Sequence, residues 1–329
     1  MKPAMENLGG AESHAISDIV LGAPYEAEPS VSVPPAAAHS VAPRSSLRTR
    51  GEGSFWAQLR VRSVLLVVSV LLLVFVGACA SVPTWIAPSL PTDMDTSAIL
   101  TAPGWAHLFG TDQFGRDVFT LVVYGARQSV LIGLFAVSIS CTVGISIGLT
   151  AGYMGGWIDT ALMRFIDIWM AIPSMLLALA LSAALGPSLP NTILAVSVAT
   201  TPRYARILRG QALSLRNRPF VEAARAAGAS HWAILRGHIL PHCTSQILVL
   251  ATLGIGTSIL IGASLSFLGL GVNDERPDWG FLLTQGRSYL TVAWWIVTYP
   301  GLAITSLVVS VNLLGDALRR HLEPRSAAR

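Results

Sequence analysis

Six apolar runs of near-spanning length restrict the fold of this chain more than any other feature. A helix needs about 20 mostly apolar residues to cross a bilayer. Such runs lie near residues 64–82, 130–151, 165–185, 192–208, 247–270 and 292–314. The fourth is the weakest, because Pro202 and Arg203 cut its apolar part to Thr192–Thr201 and an amphipathic extension follows. In lipid every backbone polar group must be satisfied internally, and a helix does this within one segment. The expected fold class is therefore all-α, a polytopic bundle of six transmembrane helices. Composition agrees: 52% of residues are hydrophobic and 12% are charged, against about 25% charged in soluble domains. An ordinary soluble enzyme and a disordered chain are both poor fits.

The basic residues carry two further messages. Lys2 is the only lysine among 22 basic residues. A phosphate-binding loop of the form G-x-x-x-x-G-K-[ST] needs a lysine, so this chain cannot be a P-loop ATPase. Any ATP-driven work must come from a partner. Placement then sets orientation, since basic residues collect on the cytosolic side. With the N-terminus inside, 18 basic residues fall in cytosolic segments and 4 (Arg116, Arg127, Arg276 and Arg287) fall outside. This predicts an N-in, C-in topology, with an outer loop over 83–128 and a cytosolic region over 202–245. It also explains the net charge of +4 without nucleic acid. Residues 1–53 are rich in Ala, Pro, Ser and Glu and read as a disordered cytosolic tail. The folded part spans 54–325, and 326–329 is a short tail.

The cytosolic region holds the sharpest local pattern. Pro219 suits a first helical turn, and Glu222 follows near the positive end of the helix dipole. Ala223, Ala224, Ala226 and Ala227 favour helix and add almost no bulk. Gly228 suits the left-handed residue that ends it. Ser230 then caps a second short helix, which Pro241 is expected to stop. The first helix is too short to be stable alone, so a docking site or its own bundle must hold it. Composition alone allows an ordinary connector.

The order Glu222-Ala-Ala-x-x-x-Gly228, with Leu240-Pro241 at fixed distance, resembles the signature of importer-type ABC permeases. His238 stands where that family often has isoleucine. The resemblance implies that this element is the coupling helix on which an ATPase subunit docks. Glu222 would anchor it; Ala223, Ala224 and Gly228 would permit close docking and the turn. Further segments are similar to the dipeptide/oligopeptide importers, and their order resembles the second, C-type permease subunit. They are Gly110-Thr-Asp-Gln-Phe-Gly-Arg-Asp-Val118 with Tyr124-Gly-Ala-Arg127, Met163-Arg-Phe-Ile-Asp167 with Ala171-Ile-Pro173, Ser266-Phe-Leu-Gly-Leu-Gly271 with Trp279-Gly280, and Leu314-Gly-Asp-Ala-Leu-Arg319 with Glu323-Pro-Arg325. Asn273-Asp-Glu-Arg276 and Arg320 depart from the pattern.

The resemblance implies a non-enzymatic permease subunit in a bacterial inner membrane. Its expected partners are a second homologous permease, two ATP-binding subunits, an external solute-binding protein, the lipid bilayer and a peptide substrate. ATP and Mg would be used by the partners, so no cofactor is expected on this chain. Nickel, glutathione or another small solute remains an alternative cargo.

Other features are less decisive. Gly144, Gly148 and Gly152 form two overlapping G-x-x-x-G steps, which let helices approach closely; they serve a subunit or gating contact, or internal packing. Asp112, Arg116 and Asp117 in the outer loop are candidate contacts for a binding protein, or pair with each other. Pro173 reads as a local kink, and Arg164 and Asp167 are spaced to pair on one helix. His238 and His242 could hold a metal, but a surface face is the plainer reading, and no metal, catalytic or disulfide arrangement is expected. No ionisable residue falls well inside any apolar run. Ion-coupled carriers usually place one there, which argues against a secondary transporter.

Overall fold

Capping residues and prolines, more than hydropathy, set where the helices begin, bend and end. The structure is a computed structural model that describes residues 52–272 and 278–322. The expected tail over 1–53 lies outside these residues except for Glu52 and Gly53, which are already helical. Asn273–Arg276 and the 326–329 tail also lie outside them.

Helix α1 (Glu52–Ser81) is apolar on all sides of its spanning part. Val67, Leu71, Val74 and Phe75 are exposed along it, as suits a helix facing lipid tails. A single turn, α2 (Pro83–Ile86), leads into the outer loop. Helix α3 (Val118–Met154) has 37 residues and starts well inside the stretch expected to be loop. Its start is set by Asp117, whose carboxylate accepts the Thr120 N–H at 2.8 Å. Gly155 ends it with φ +68.

The third apolar run is two helices, not one. α4 (Gly156–Met170) and α5 (Ser174–Leu185) meet at an 80° bend. Pro173 lacks an N–H and pushes the residue before it out of the helical region. The expected local kink is thus a full break.

Helix α6 (Leu189–Leu215), by contrast, runs straight through the point where Pro202 was expected to cut it. Pro202 is buried, and hydroxyls surround the weakened turn. Thr201 donates to the Ser197 carbonyl at 2.8 Å, and Ser140 of α3 donates to the same oxygen at 3.1 Å. They crowd the turn beside the Val198 carbonyl, the one that Pro202 leaves without its helical N–H. The continuation carries Arg203, Arg206 and Arg209 within the body of one helix rather than in a loop beyond it.

The cytosolic region forms α7 (Pro219–Ala226), α8 (His231–Ile234) and a π-helical turn over Leu235–Ile239 that feeds directly into α9 (Leu240–Phe267). Pro241 does not stop a helix, as expected from sequence. It sits in the first turn of α9, and the Leu240 N–H reaches back five residues to the Leu235 carbonyl. A π-turn of this kind absorbs the mismatch in the ladder. The chain closes with α10 (Trp279–Gly286) and α11 (Trp295–Leu322).

Among the described residues, four helices are long and apolar enough to cross a membrane, or five if the bent α4–α5 pair is one span. α6 has 27 residues, about 40 Å of helix, but its arginines set it apart in composition. Strands are absent among the described residues, which hold one isolated bridge, Thr111–Asp117.

The α3–α6 pair is the most extensive contact in the bundle, and the three glycines explain it. A Cβ on Gly144 would meet Tyr204 Cβ at 2.5 Å and the Ala205 nitrogen at 3.0 Å. One on Gly152 would meet the Arg209 carbonyl oxygen at 2.6 Å and Ala212 Cβ at 2.7 Å, and one on Gly148 would collide with the Ala205 carbonyl. Backbone therefore lies on backbone along this face. Two ion pairs tie α4 to α6. Arg209 grips Asp159 with two N–H groups at 2.5 and 2.7 Å, and Arg206 reaches Asp167 at 2.6 Å. Asp167 thus pairs across helices with Arg206 rather than along its own helix with Arg164.

Candidate functional site

Helix α7 is anchored through one face only. Val221 is fully buried, and Phe220 and Ala224 pack beside it. They join a cluster built from Leu149 and Tyr153 of α3, Leu208 and Ala212 of α6, and Ile234, Ile239 and Cys243 beyond α8's start. The end of α7 is a Schellman closure. Gly228, at φ +79, donates to the Arg225 carbonyl at 2.9 Å, and Ala229 donates to Ala224 at 3.0 Å. Ser230 then accepts the Ala233 N–H at 3.3 Å and starts α8. The turn is pinned from below: the Tyr153 hydroxyl lies 3.1 Å from His231 Nδ1, and the Arg225 guanidinium sits 5.2 Å over the Tyr153 ring.

The opposite face of α7 is bare. Glu222, Ala223, Ala226, Ala227 and Gly228 are exposed, and Trp232 of α8 is 67% exposed beside them. Glu222 makes no ion pair among the described residues. The surface is therefore small and shallow, with one free carboxylate and one large apolar side chain at its margin. It has the shape that admits a close-fitting protein groove. The sequence assigned Ala224 to docking as well, but the structure turns it inward. Leu240 is half-buried against the same cluster, and Pro241 is exposed. Trp232 escaped the sequence reading; its position two residues after the Ser230 cap was the available signal.

His238 and His242 do not form a metal pair. His242 Nδ1 faces the His238 carbonyl at 2.7 Å, and its ring stacks on Phe220 at 4.7 Å. Among the described residues no three His, Cys, Asp or Glu side chains gather as a metal site requires. The three cysteines are free and buried.

At the other end of α3 the outer-loop trio turns inward. Asp112 is 1% exposed. It accepts the Phe114 and Arg116 N–H groups at 2.8 and 2.9 Å and pairs with the Arg116 guanidinium at 2.7 Å. Arg116 also reaches Gln285 of α10 at 2.9 Å. Asp117 caps α3 and faces His107 Nδ1 at 3.2 Å. Asp112 is buried and partnered, and Asp117 is half-buried and caps α3, so in this structure both shape the loop. The exposed groups of the loop are mixed: Trp85, Trp105 and Leu108 are apolar, while Asp93 and Asp95 are acidic.

Beside this loop, Asp278 is 1% exposed and caps α10, accepting the Phe281 N–H at 2.7 Å. Ser266 Oγ donates to its other oxygen. Burial pushes its carboxyl up to about 6, against the pull of those hydrogen bonds. Its place just before Trp279-Gly280 was the only sequence hint of a cap.

Comparison with known proteins bears on the whole bundle. Residues 144–327 match the family described as binding-protein-dependent transport system inner membrane component. The chain is 39% identical over 294 residues to the probable D,D-dipeptide transport system permease protein DdpC of Escherichia coli, covering 88% of this chain and 97% of that one. It is 46% identical over 226 residues to the dipeptide transport system permease protein DppC of Alkalihalophilus pseudofirmus, covering 69% and 74%. In fold it is similar to a chain of the MetNI methionine ABC transporter solved in inward-facing conformations. That match has a TM-score of 0.51 at 18% identity and covers 62% of this chain and 96% of the other.

Proposed function

Because this chain belongs to the family of binding-protein-dependent transport system inner membrane components, we propose that it is the C-type permease subunit of an ABC importer that carries short peptides. The single observation that carries the mechanism is the two-faced α7. Its inner face is locked into the α3–α6–α9 core, and its outer face is small, exposed and unpartnered. A helix held in that way transmits a push from outside directly into the bundle.

In this reading an ATP-binding subunit seats on Ala223, Ala226, Ala227 and Gly228, with Glu222 as the anchoring charge at the edge. A second permease completes the pathway, and two ATPase subunits and an external binding protein complete the importer. ATP and Mg belong to those partners. The chain spans a bacterial inner membrane six times, with both termini inside; α6 is the fourth of these spans, and its arginines face protein or water rather than lipid. When the ATPases close, they move α7 and with it the ends of α3, α6 and α9, so the bundle changes the side to which its path opens.

The reading is tested by uptake in proteoliposomes holding the complete transporter. Accumulation of a radiolabelled dipeptide should require internal ATP and the external binding protein, and should survive a protonophore. Uptake driven by an ion gradient without ATP would contradict it.

A further inference from the structure

A cavity of about 250 Å³ opens where the α4–α5 break meets α6 and α9, lined in part by Trp169, Ile172, Ser174, Thr200, Arg203 and Tyr204. Small-molecule pockets start at roughly 300 Å³, so this space suits one or two residues of a peptide rather than a long chain. Arg203 is the only charged side chain in the lining, and no acid faces it there.

The arginines of α6 explain why that is notable. Arg203, Arg206 and Arg209 follow one another at steps of three, on neighbouring turns. Asp159 neutralises Arg209, and Asp167 neutralises Arg206. Arg203 has no ion-pair partner among the described residues. It lies some 14 residues into α6, about 21 Å from its start. A guanidinium stays charged at any working pH, and Arg203 is exposed with no acid in the cavity lining to neutralise it, so it is available to a ligand that enters there. Helix α5 begins at the same cavity, and no side chain caps its first turn. Its free amides reinforce the positive field at the arginine.

We propose that Arg203 receives the C-terminal carboxylate of the peptide as it passes through the bundle. The planar guanidinium matches a carboxylate in a two-bond fork, and every peptide with a free terminus presents that group whatever its side chains. The inference rests on the peptide-importer reading and adds to it a residue that selects cargo.

The test uses the complete reconstituted transporter with saturating loaded binding protein, and measures uptake and ATP hydrolysis together. Alanyl-alanine carries only the terminal carboxylate; alanyl-glutamate adds one on a side chain. R203Q should lower uptake of both peptides per ATP on the order of tenfold, the loss of one charge-assisted hydrogen bond, while peptide-stimulated ATP hydrolysis stays within about twofold of wild type. R203K, which keeps the charge but not the fork, should fall between R203Q and wild type. The proposal is overturned by unchanged uptake in R203Q, by uptake and hydrolysis falling together, by an effect on alanyl-glutamate alone, or by R203K matching wild type. A wild-type complex that takes up no peptide would instead sink the importer reading itself.

Discussion

Replacing Gly144 by alanine separates packing from helix propensity at the centre of the bundle. Propensity favours the change, since alanine in a helix interior gains up to about 1 kcal/mol over glycine. Space opposes it. The new Cβ would lie 2.5 Å from Tyr204 Cβ and 3.0 Å from the Ala205 nitrogen, where an ordinary contact begins at 3.4 Å. Neither atom can rotate away, because one is fixed to the α6 backbone and the other belongs to it. The helices must part by several tenths of an ångström along their most extensive contact. Overpacking of this kind costs about 1–3 kcal/mol, so after the propensity gain the expected net loss is up to about 2 kcal/mol, or up to roughly 8 °C in apparent Tm. The protein supplies its own assay: Cys79, Cys141 and Cys243 are free and buried, so a thiol-reactive dye in detergent lights up on unfolding. Gly210 is the control. Nothing lies within 4 Å of its would-be Cβ, so Gly210→Ala should be neutral or raise stability by about 0.5–1 kcal/mol. The packing argument is refuted if Gly144→Ala melts at or above the wild-type temperature alongside Gly210→Ala.

Three further outcomes are expected. Arg209→Ala should lower the apparent Tm more than Arg206→Ala, because the first strands Asp159 at 14% side-chain exposure while the Arg206–Asp167 pair is 49% and 56% exposed; exposed pairs are worth about 0–1 kcal/mol, and equal melting would reverse the ranking. Gly228→Ala has room for its Cβ but must hold φ +79. Roughly 1–2 kcal/mol of left-handed strain should appear as faster amide exchange over 219–230 and little change elsewhere. Asp278 has a folded value of about 6, above its ordinary 3.8. Its stabilising contribution is therefore full below the unfolded value and is lost as pH rises through about 6. The apparent Tm should decline over that window, and Asp278→Asn should flatten the decline; an unaltered slope would remove Asp278 as its source.

The sequence was informative where a residue acts on its own neighbours. The α7 element was legible to the residue, because Pro219 starts it and Gly228 must be left-handed to close it. The four strongly apolar helices followed from hydropathy. Boundaries followed less well: α3 starts at the Asp117 cap, before the apolar run, because Arg127 and Gln128 interrupt hydropathy without interrupting the helix. The 80° break at Pro173 was hidden because Ala171-Ile172 keeps the run apolar. Pro202 and Pro241 read as stops, yet α6 continues through the first and a π-turn absorbs the second. Long-range pairings such as Asp167–Arg206, Arg116–Gln285 and Ser266–Asp278 leave no local trace. The same holds for Ala224, whose inward turn depends on Leu149 and Leu208 being there to meet it.

The central claim is that α7 couples ATP hydrolysis to the bundle through its exposed face. It is tested most directly by peptide-stimulated ATP hydrolysis in the complete reconstituted complex carrying Glu222→Arg. Glu222 is exposed and outside the packed cluster, so the variant should fold and reach the membrane at wild-type levels. The account predicts that stimulation by loaded binding protein is then lost, with uptake. Normal stimulation in that variant would contradict it.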